Sequence, residues 1–439
     1  MASQPWTRTG NAWQRSTGGM ESFYASITTP DGQVGHWIIC CVVQFEYLGQ
    51  PIDLEKTLRD GWISLRHKYP GLASTVSGNT RVCEAPEEAN IDEWTKKTFR
   101  VDEDTTAEQL FARLRSISSI TLHYLPKTRE LVINAPHSLI DGRGVIYLYN
   151  ALFSQLANPQ GTTGNITGLP PTENKLLGLN SVSSEQNIQA AQNLLSRFAN
   201  PKLPVRMPNV NFDQTPGDAA RAQLKIPSGA TAAIVAACKE RGFTVTAAWH
   251  AALILAVREI QAAAGEDGSA FTTFTNFDLR RWFPESFDAA GIFAGPYHIA
   301  LPVSVDLDGK EFVEIARDLS KNYKDPMAFA QGDLNFIPPT IAACEEIFKM
   351  GPAPSSTPVL SSMGVIDNYL KRNQGDWKIC EYWLADTMLS AEIQSFLWTW
   401  REELVLSGSY NAAYYETQEV DRFLEAIKEK LLQGLGIER

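Results

Sequence analysis

Two residues that could carry out proton chemistry, His137 and Asp141, stand where a predicted strand gives way to a predicted helix. With Gly142 they form the pattern His-x-x-x-Asp-Gly between the apolar segments 130–134 and 145–153. The residue pattern predicts a strand, a tight Asp-Gly turn and then a buried helix. A strand end can hold a reactive side chain rigidly and still present it to a cleft. We therefore interpret His137 as a general base, since the usual pKa of histidine lies close to neutral pH.

The structural alternative is that Asp141 only caps the following helix and that His137 is an ordinary loop histidine. The strand–turn–helix context favours the functional interpretation. An acid four residues beyond the histidine, across a tight turn, is poorly placed to reach the same substrate atom. It is better placed to hold the loop by pairing with an arginine, and Arg280 is the candidate because it follows Asp278 at the end of the predicted strand 271–278. Loss of Asp141 would then leave Arg280 unpaired and displace His137.

Two adjacent hydroxyl groups, on Ser361 and Ser362, lie at a further predicted strand end. Hydroxyls in such a position can donate a hydrogen bond to the oxyanion of a tetrahedral intermediate. They are explained equally well as polar residues that end a strand. We interpret two other histidines as structural: His36 starts a predicted strand, and His250 lies on a very apolar helix.

The composition limits the class of protein. The 439 residues are 44% hydrophobic and carry a net charge of −11, so we expect no nucleic-acid partner. The six cysteines form no CxxC pair and indicate neither a zinc site nor a disulfide framework. The N-terminus lacks the charged head and apolar core of a signal peptide, and no apolar run reaches the length of a membrane span. We therefore expect a cytoplasmic protein with no metal site and no membrane span.

The motifs of several other enzyme classes are missing from the sequence. It contains no G-x-S-x-G, no G-x-G-x-x-G, no P-loop, no H-E-x-x-H and no calcium-binding loop. This disfavours a serine hydrolase, a dinucleotide-dependent enzyme and a metalloprotease.

Predicted strands and helices are mixed in both halves of the chain, which indicates an α/β or α+β fold with two lobes of similar size. We place the lobes at 1–200 and 201–439, with a linker rich in Gly, Pro and Asn at 157–183. The lead-in 1–34 and the acidic segment 84–107 are expected to be largely irregular. The segments 380–389, 393–400 and 402–409 are expected to form antiparallel strands.

The motif at His137, Asp141 and Gly142 resembles the HxxxDG motif of the CoA-dependent acyltransferase superfamily. That superfamily includes chloramphenicol acetyltransferase, the plant BAHD enzymes and the condensation domains of peptide synthetases. The resemblance extends over most of the chain: 58–72 is similar to the first helix of the family, 278–280 to its Asp-x-Arg strand end, and 295–303 to a later strand. The lead-in looks most like that of fungal trichothecene 15-O-acetyltransferase-like enzymes.

The resemblance implies two chloramphenicol-acetyltransferase-like lobes, each a mixed sheet with flanking helices, with an active-site tunnel between them. It implies His137 as the base and Asp141 as the structural partner of Arg280. It also implies acetyl-CoA or another acyl-CoA as co-substrate, no bound cofactor, an apolar alcohol as acceptor, and a monomer. The DFGWG motif of the BAHD enzymes is missing, which leaves the CoA-binding residues unassigned.

We therefore expect an acyl-CoA-dependent O-acyltransferase that transfers an acetyl group to a hydroxyl of an apolar fungal-type secondary metabolite. A second hypothesis keeps the fold and the base but assigns a cyclisation or condensation of a free or carrier-bound intermediate, without CoA. A third, a non-catalytic binding protein, is disfavoured because His137, Asp141 and Arg280 are all present.

Overall fold

Mixed sheets with flanking helices are present in the computed structural model of the chain, which describes residues 6–159, 168–284, 294–351 and 354–438. The prediction of an α/β fold is therefore confirmed. The described residues form the strands β1 Thr7–Thr9, β2 Ala12–Ser16, β3 Ile38–Tyr47, β4 Ser74–Ser77, β5 Thr80–Glu84, β6 Phe99–Val101, β7 Thr121–Leu125, β8 Glu130–Pro136, β9 Ala219–Ile226, β10 Ala270–Asp278, β11 His298–Asp306, β12 Val359–Val365, β13 Asn373–Gln374, β14 Trp377–Asp386, β15 Gln394–Trp400 and β16 Glu403–Asn411. They also form the helices α1 Met20–Ser26, α2 Leu54–Lys68, α3 Glu88–Thr98, α4 Ala107–Ala112, α5 Gly142–Ala157, α6 Glu173–Leu176, α7 Glu185–Leu195, α8 Ser228–Glu240, α9 Val245–Ala263, α10 Phe312–Lys324, α11 Ile337–Met350 and α12 Thr417–Leu435.

The first large sheet has six strands in the order β13-β14-β3-β8-β7-β6. β3 lies inside this sheet and is buried along most of its length, as its apolar residues on both faces predict. β8 pairs with β3 in the antiparallel direction, and Pro136 lies opposite Ile38 at the end of β8. The next residue is His137, so the sheet itself fixes the position of the predicted base.

The second large sheet has six strands in the order β11-β10-β12-β15-β16-β9. β10 ends at Asp278, and the short helical turn Leu279–Trp282 that follows it carries Arg280. The buried helix α9 carries His250, which has the structural role expected of it. Its Nδ1 lies 3.0 Å from the hydroxyl of Tyr323, and its ring contacts Phe271 of β10.

Two strands from the second half of the chain lie in the first large sheet. β14 pairs with β3 in the antiparallel direction, from Trp377 opposite Tyr47 to Asp386 opposite Ile39, and β13 pairs with β14. β15 and β16 pair with each other in the second sheet. Hydrophobic periodicity identifies a strand but not its neighbour, so the sequence did not reveal this exchange. The division of the chain into lobes at 1–200 and 201–439 stays a prediction. β13 and β14 come from the second of these ranges but pair in the sheet built by strands of the first.

Two segments expected to be irregular contain regular structure. The lead-in holds β1, β2 and α1, and the acidic segment 84–107 holds α3 and β6. β1 and β2 join β5 and β4 in a small sheet. Buried Glu21 of α1 accepts hydrogen bonds from Arg15 of β2 at 2.6 Å and from Arg81 of β5 at 2.7 Å. These ion pairs tie α1 to the small sheet through contacts that local sequence patterns do not show.

Part of the predicted linker 157–183 lies outside the described residues, at 160–167, while 173–176 form the short helix α6. In the part of the chain that the structure describes, no single helix has both the length and the apolar character of a membrane span. α8 and α9, which are bent by 100° relative to each other, reach those values only when taken together.

Candidate active site

The imidazole of His137 contacts two other rings. The phenol of Tyr24, from α1, stacks on it with a centroid distance of 4.0 Å and an interplanar angle of 13°. The ring of His298, from β11, lies 5.1 Å away. Burial lowers the pKa of His137 to about 3, and His298 acts in the same direction, while the charge of Asp141 opposes the shift. His137 is therefore uncharged at neutral pH, which is the form a general base requires.

Asp141 has two structural roles at once. Its Oδ1 accepts a hydrogen bond of 2.7 Å from the backbone N–H of Gly144, which caps the N-terminus of α5. Its two carboxylate oxygens also accept hydrogen bonds from Nη1 and Nη2 of Arg280, both at 3.0 Å. Burial disfavours the charged carboxylate, but the opposing effects of Arg280 and His298 hold the pKa of Asp141 below its usual range. The helix cap and the ion pair proposed from the sequence are thus both present.

Asp278 supports Arg280 from the other side. Its Oδ1 accepts hydrogen bonds from the backbone N–H of Arg280 at 3.0 Å and from Nη1 at 3.2 Å. Arg143, the second residue of α5, lies 3.6 Å from Asp278 Oδ2 and donates a hydrogen bond to the backbone carbonyl of Met363. Burial alone would lower the pKa of Arg280, but Asp141 and Asp278 together raise it above its usual value. Arg280 is therefore a fixed positive charge.

The two serines at the strand end differ in how their hydroxyl groups are used. Ser361 and Ser362 follow each other on β12, next to a shift in the strand register. The hydroxyl of Ser362 lies 2.9 Å from that of Thr246, near the N-terminus of α9. The hydroxyl of Ser361 contacts only Met363 Sδ, at 3.8 Å, among the described residues. Ser361 therefore has the hydroxyl that is more free to bond a substrate.

Gly142 allows the walls of the site to approach one another. A Cβ at this position would lie 3.0 Å from Met363 Cε and 3.1 Å from Leu384 Cδ2. These two side chains come from β12 and β14, one strand in each large sheet. A larger residue at 142 would have to push them apart.

The seven site residues predicted from the sequence line one cavity of about 70 Å³: His137, Asp141, Gly142, Asp278, Arg280, Ser361 and Ser362. Residues of both large sheets contribute to it. Its volume is small beside the roughly 300–1,000 Å³ of usual small-molecule pockets, so a tunnel that accommodates two substrates stays a prediction. Within the described ranges, no group of three or more His, Cys, Asp or Glu side chains is placed to hold a metal ion.

Three residues at this site were missed by sequence reasoning: Tyr24, His298 and Asp386. The hydroxyl of Tyr24 lies 2.9 Å from Nε2 of His298, and Nδ1 of His298 lies 3.9 Å from Asp141 Oδ2, which is too far for a hydrogen bond. Asp386 lines the cavity at the end of β14. For His298, a histidine at the start of a predicted strand was the available signal. Tyr24 carried none, because it lies in a segment expected to be irregular.

Comparisons with known proteins give relatives among fungal acetyltransferases. The chain is 27% identical over 454 residues to the O-acetyltransferase pigM of Monascus ruber, covering 96% of this chain and 85% of that protein. It is 25% identical to the acetyltransferase pigO of Monascus ruber, covering 99% of this chain and 98% of that protein. No protein-family model matches the sequence.

A solved structure, TRI3 trichothecene 15-O-acetyltransferase from Fusarium sporotrichioides, superposes with a TM-score of 0.80 at 19% identity and covers 98% of each chain. This likeness confirms the two-lobed fold, and the two Monascus relatives agree with it in reaction class. The chain is an acyltransferase with the fold of the CoA-dependent acyltransferase superfamily.

Proposed function

We propose that the chain is an acyl-CoA-dependent O-acetyltransferase that acetylates a hydroxyl group of an apolar secondary metabolite, with His137 as the general base. One observation carries the proposal: the uncharged His137, the Asp141–Arg280 pair and the hydroxyl of Ser361 converge on one cavity between the two large sheets. The fungal relatives named acetyltransferases support the acetyl group and the O-acyl product.

The proton chemistry follows from the position of the imidazole. Nδ1 of His137 is buried against the backbone of its own residue, whereas Nε2 is not among the buried atoms, so we assign the reaction to Nε2. Nε2 takes the proton of the acceptor hydroxyl as its oxygen attacks the thioester carbonyl carbon of acetyl-CoA. The tetrahedral intermediate then collapses, the C–S bond breaks, and the imidazolium returns the proton to the departing thiolate. The products are the acetyl ester and free CoA.

Arg280 and Asp141 hold this geometry without touching the reacting atoms. The ion pair joins the loop after β8 to the turn after β10, and so joins the two sheets at the position of His137. The hydroxyl of Ser361 is the oxyanion donor we propose, with Ser362 as the second candidate. Removal of one such donor typically lowers kcat by roughly 10²–10³-fold.

Three apolar side chains in the cavity wall support the choice of an apolar acceptor. Met363, Leu384 and Phe396 line it beside the polar groups, and the stacked ring of Tyr24 closes one face of the base. The solved neighbour is named a trichothecene 15-O-acetyltransferase. Most of the other lining residues are polar, so the apolar part of the acceptor would lie against these three side chains.

The test is a calorimetric titration of acetyl-CoA into the wild type, His137→Ala and a matched control, His67→Ala, which changes a histidine of α2 outside the cavity. We expect micromolar binding to all three, because the base is not needed to hold the donor. Release of free CoA in the presence of an alcohol acceptor should fall about 10²–10⁴-fold in His137→Ala alone. Absence of acetyl-CoA binding to the wild type would contradict the proposal and favour a cyclisation or condensation of a carrier-bound or free intermediate.

A further inference from the structure

Asp386 is a buried carboxyl group in the cavity wall that the proposed reaction does not use. It ends β14, lines the cavity and is only 7% exposed. Among the described residues its carboxylate has no hydrogen-bond or ion-pair partner. The one polar contact of this residue outside the β-sheet pairing is that of its backbone N–H, which donates to Ser409 Oγ at 3.3 Å.

The strand register places Asp386 and His137 at the same edge of the first large sheet. Asp386 lies opposite Ile39 of β3, and Ile39 lies opposite Ala135 of β8, two residues before His137. Neighbouring strands are about 4.8 Å apart, so β14 is about 10 Å from β8. Side chains of directly paired residues share one face of a sheet. The two side chains therefore stand on the same face of the sheet, about 10 Å apart, and both line the cavity.

The neighbouring positive charges are already engaged by other groups. Arg280 bonds Asp141 and Asp278, and Arg143 bonds the carbonyl of Met363 and lies against Asp278. Neither is available to neutralise Asp386, and burial raises the pKa of Asp386 to about 7. The carboxylate oxygens are not among the fully buried atoms, so a group bound in the cavity can donate a hydrogen bond to them. The open side of Asp386 faces the cavity where the acceptor is expected to bind.

We propose that Asp386 selects the acceptor by accepting a hydrogen bond from a second donor group, a hydroxyl or an amine, on the side of the molecule away from the reacting hydroxyl. This rests on the proposed function and narrows the acceptor class to apolar-framed diols and amino alcohols. In this proposal Leu384 and Phe396, which line the cavity, pack against the apolar part of the acceptor. Asp386 then fixes the orientation of the acceptor relative to His137.

The test uses equilibrium binding of three matched probes to the full chain, measured by ligand-observed NMR or calorimetry. The probes are 1,4-benzenedimethanol, 4-(aminomethyl)benzyl alcohol and 4-(methoxymethyl)benzyl alcohol. Each probe has at least one free hydroxyl, and only the methyl ether lacks a second hydrogen-bond donor. We expect the wild type to bind the diol and the amino alcohol about tenfold more tightly than the methyl ether, since one hydrogen bond to a charged group contributes about that much.

The variants are Asp386→Leu, Asp386→Asn and the control Asp308→Asn, which changes an exposed carboxylate outside the cavity. Asp386→Leu should abolish the preference for both donor-bearing probes. Asp386→Asn keeps the shape of the side chain and removes its charge. It should therefore lower the preference for the amino alcohol over the methyl ether about tenfold, and the preference for the diol over the methyl ether by less. The control should bind as the wild type does.

Several results would overturn the assignment. They are equal binding of the three probes to the wild type, no binding of any probe, or a preference that survives in Asp386→Leu. If the leucine variant does not fold, an undiminished preference in Asp386→Asn overturns it in the same way. CoA release is recorded separately with the same probes. A donor preference in binding without any CoA release would contradict the proposed function while supporting the role of Asp386. CoA release without a donor preference in binding would support the proposed function and contradict the role of Asp386.

Discussion

Arg280 holds both carboxylate oxygens of Asp141 at 3.0 Å, although 139 residues separate them in the chain. Such a two-pronged contact fixes direction as well as distance. It joins the end of a strand in one large sheet to the end of a strand in the other, with His137 four residues from the joint. The position of His137 thus depends on the ion pair between Asp141 and Arg280, which does not itself include the base.

Asp141→Asn should destabilise the protein and lower the rate of acetyl transfer. The asparagine keeps the shape but leaves Arg280 with a buried charge balanced only by Asp278. Breaking one partner of a buried pair costs about 3–5 kcal/mol, and we expect a loss of about 3 because Asp278 remains. Urea unfolding measures the loss, with Asp308→Asn as control. A stability equal to the wild type would show that the pair does not hold the two sheets.

Tyr24→Phe and Tyr24→Leu separate the two contacts of the tyrosine. Phenylalanine keeps the stacked ring over His137 but loses the hydrogen bond to His298, worth about 1 kcal/mol. Leucine loses both contacts. We expect kcat to fall slightly in the first variant and at least tenfold further in the second, while KM for acetyl-CoA stays unchanged in both. A parallel rise of KM would show that Tyr24 serves donor binding instead.

The rate should resist acidic conditions. The pKa of His137 is lowered to about 3, so the base keeps its uncharged form well below pH 6.5, where an ordinary histidine takes up its proton. The acid limb of the kcat/KM profile should therefore have its midpoint clearly below pH 6.5. A midpoint at 6.5 would mean that the imidazole titrates as if it were in water.

Asp386→Asn should stabilise the protein, but only in the upper pH range. Burial raises the pKa of Asp386 to about 7, so the ionised carboxylate destabilises the folded state above pH 7. The destabilisation is at most about 4 kcal/mol and disappears as the pH falls toward 4, where both states are protonated. Thermal unfolding of both proteins at pH 8 and pH 5 checks this. An equal difference at the two pH values would contradict it.

Glu392→Gln is the matched comparison for that experiment. Burial raises the pKa of Glu392 to about 7 as well, but Ser390 donates a hydrogen bond to it at 2.9 Å and it does not line the cavity. We expect a similar pH-dependent gain in stability without any change in probe binding. A change in probe binding here would mean that the two carboxylates act on the cavity together.

The sequence was sufficient to predict a site residue where that residue lies at the end of a predicted strand or helix. His137 and Asp141 stand at a strand–turn–helix junction, and Arg280 follows a strand end, so local patterns placed all three. The contact of Tyr24 with His298 joins residues 274 apart and leaves no local trace. Asp386 ends a strand that also carries Lys378 and Glu381, and nothing in its neighbours shows that the strand belongs to the other sheet.

The exchange of β14 into the first large sheet has a consequence for how the protein is made. β3 gains its partner on one side only when residue 386 has left the ribosome, long after 1–200 has been synthesised. At about 5–20 residues per second, roughly ten to forty seconds pass between the two events. During that interval the apolar strand Ile38–Tyr47 has a free edge that can pair with other chains. Nascent chains of this protein should therefore depend on chaperones that cover β-edges, and truncation before β14 should yield aggregates rather than a folded half.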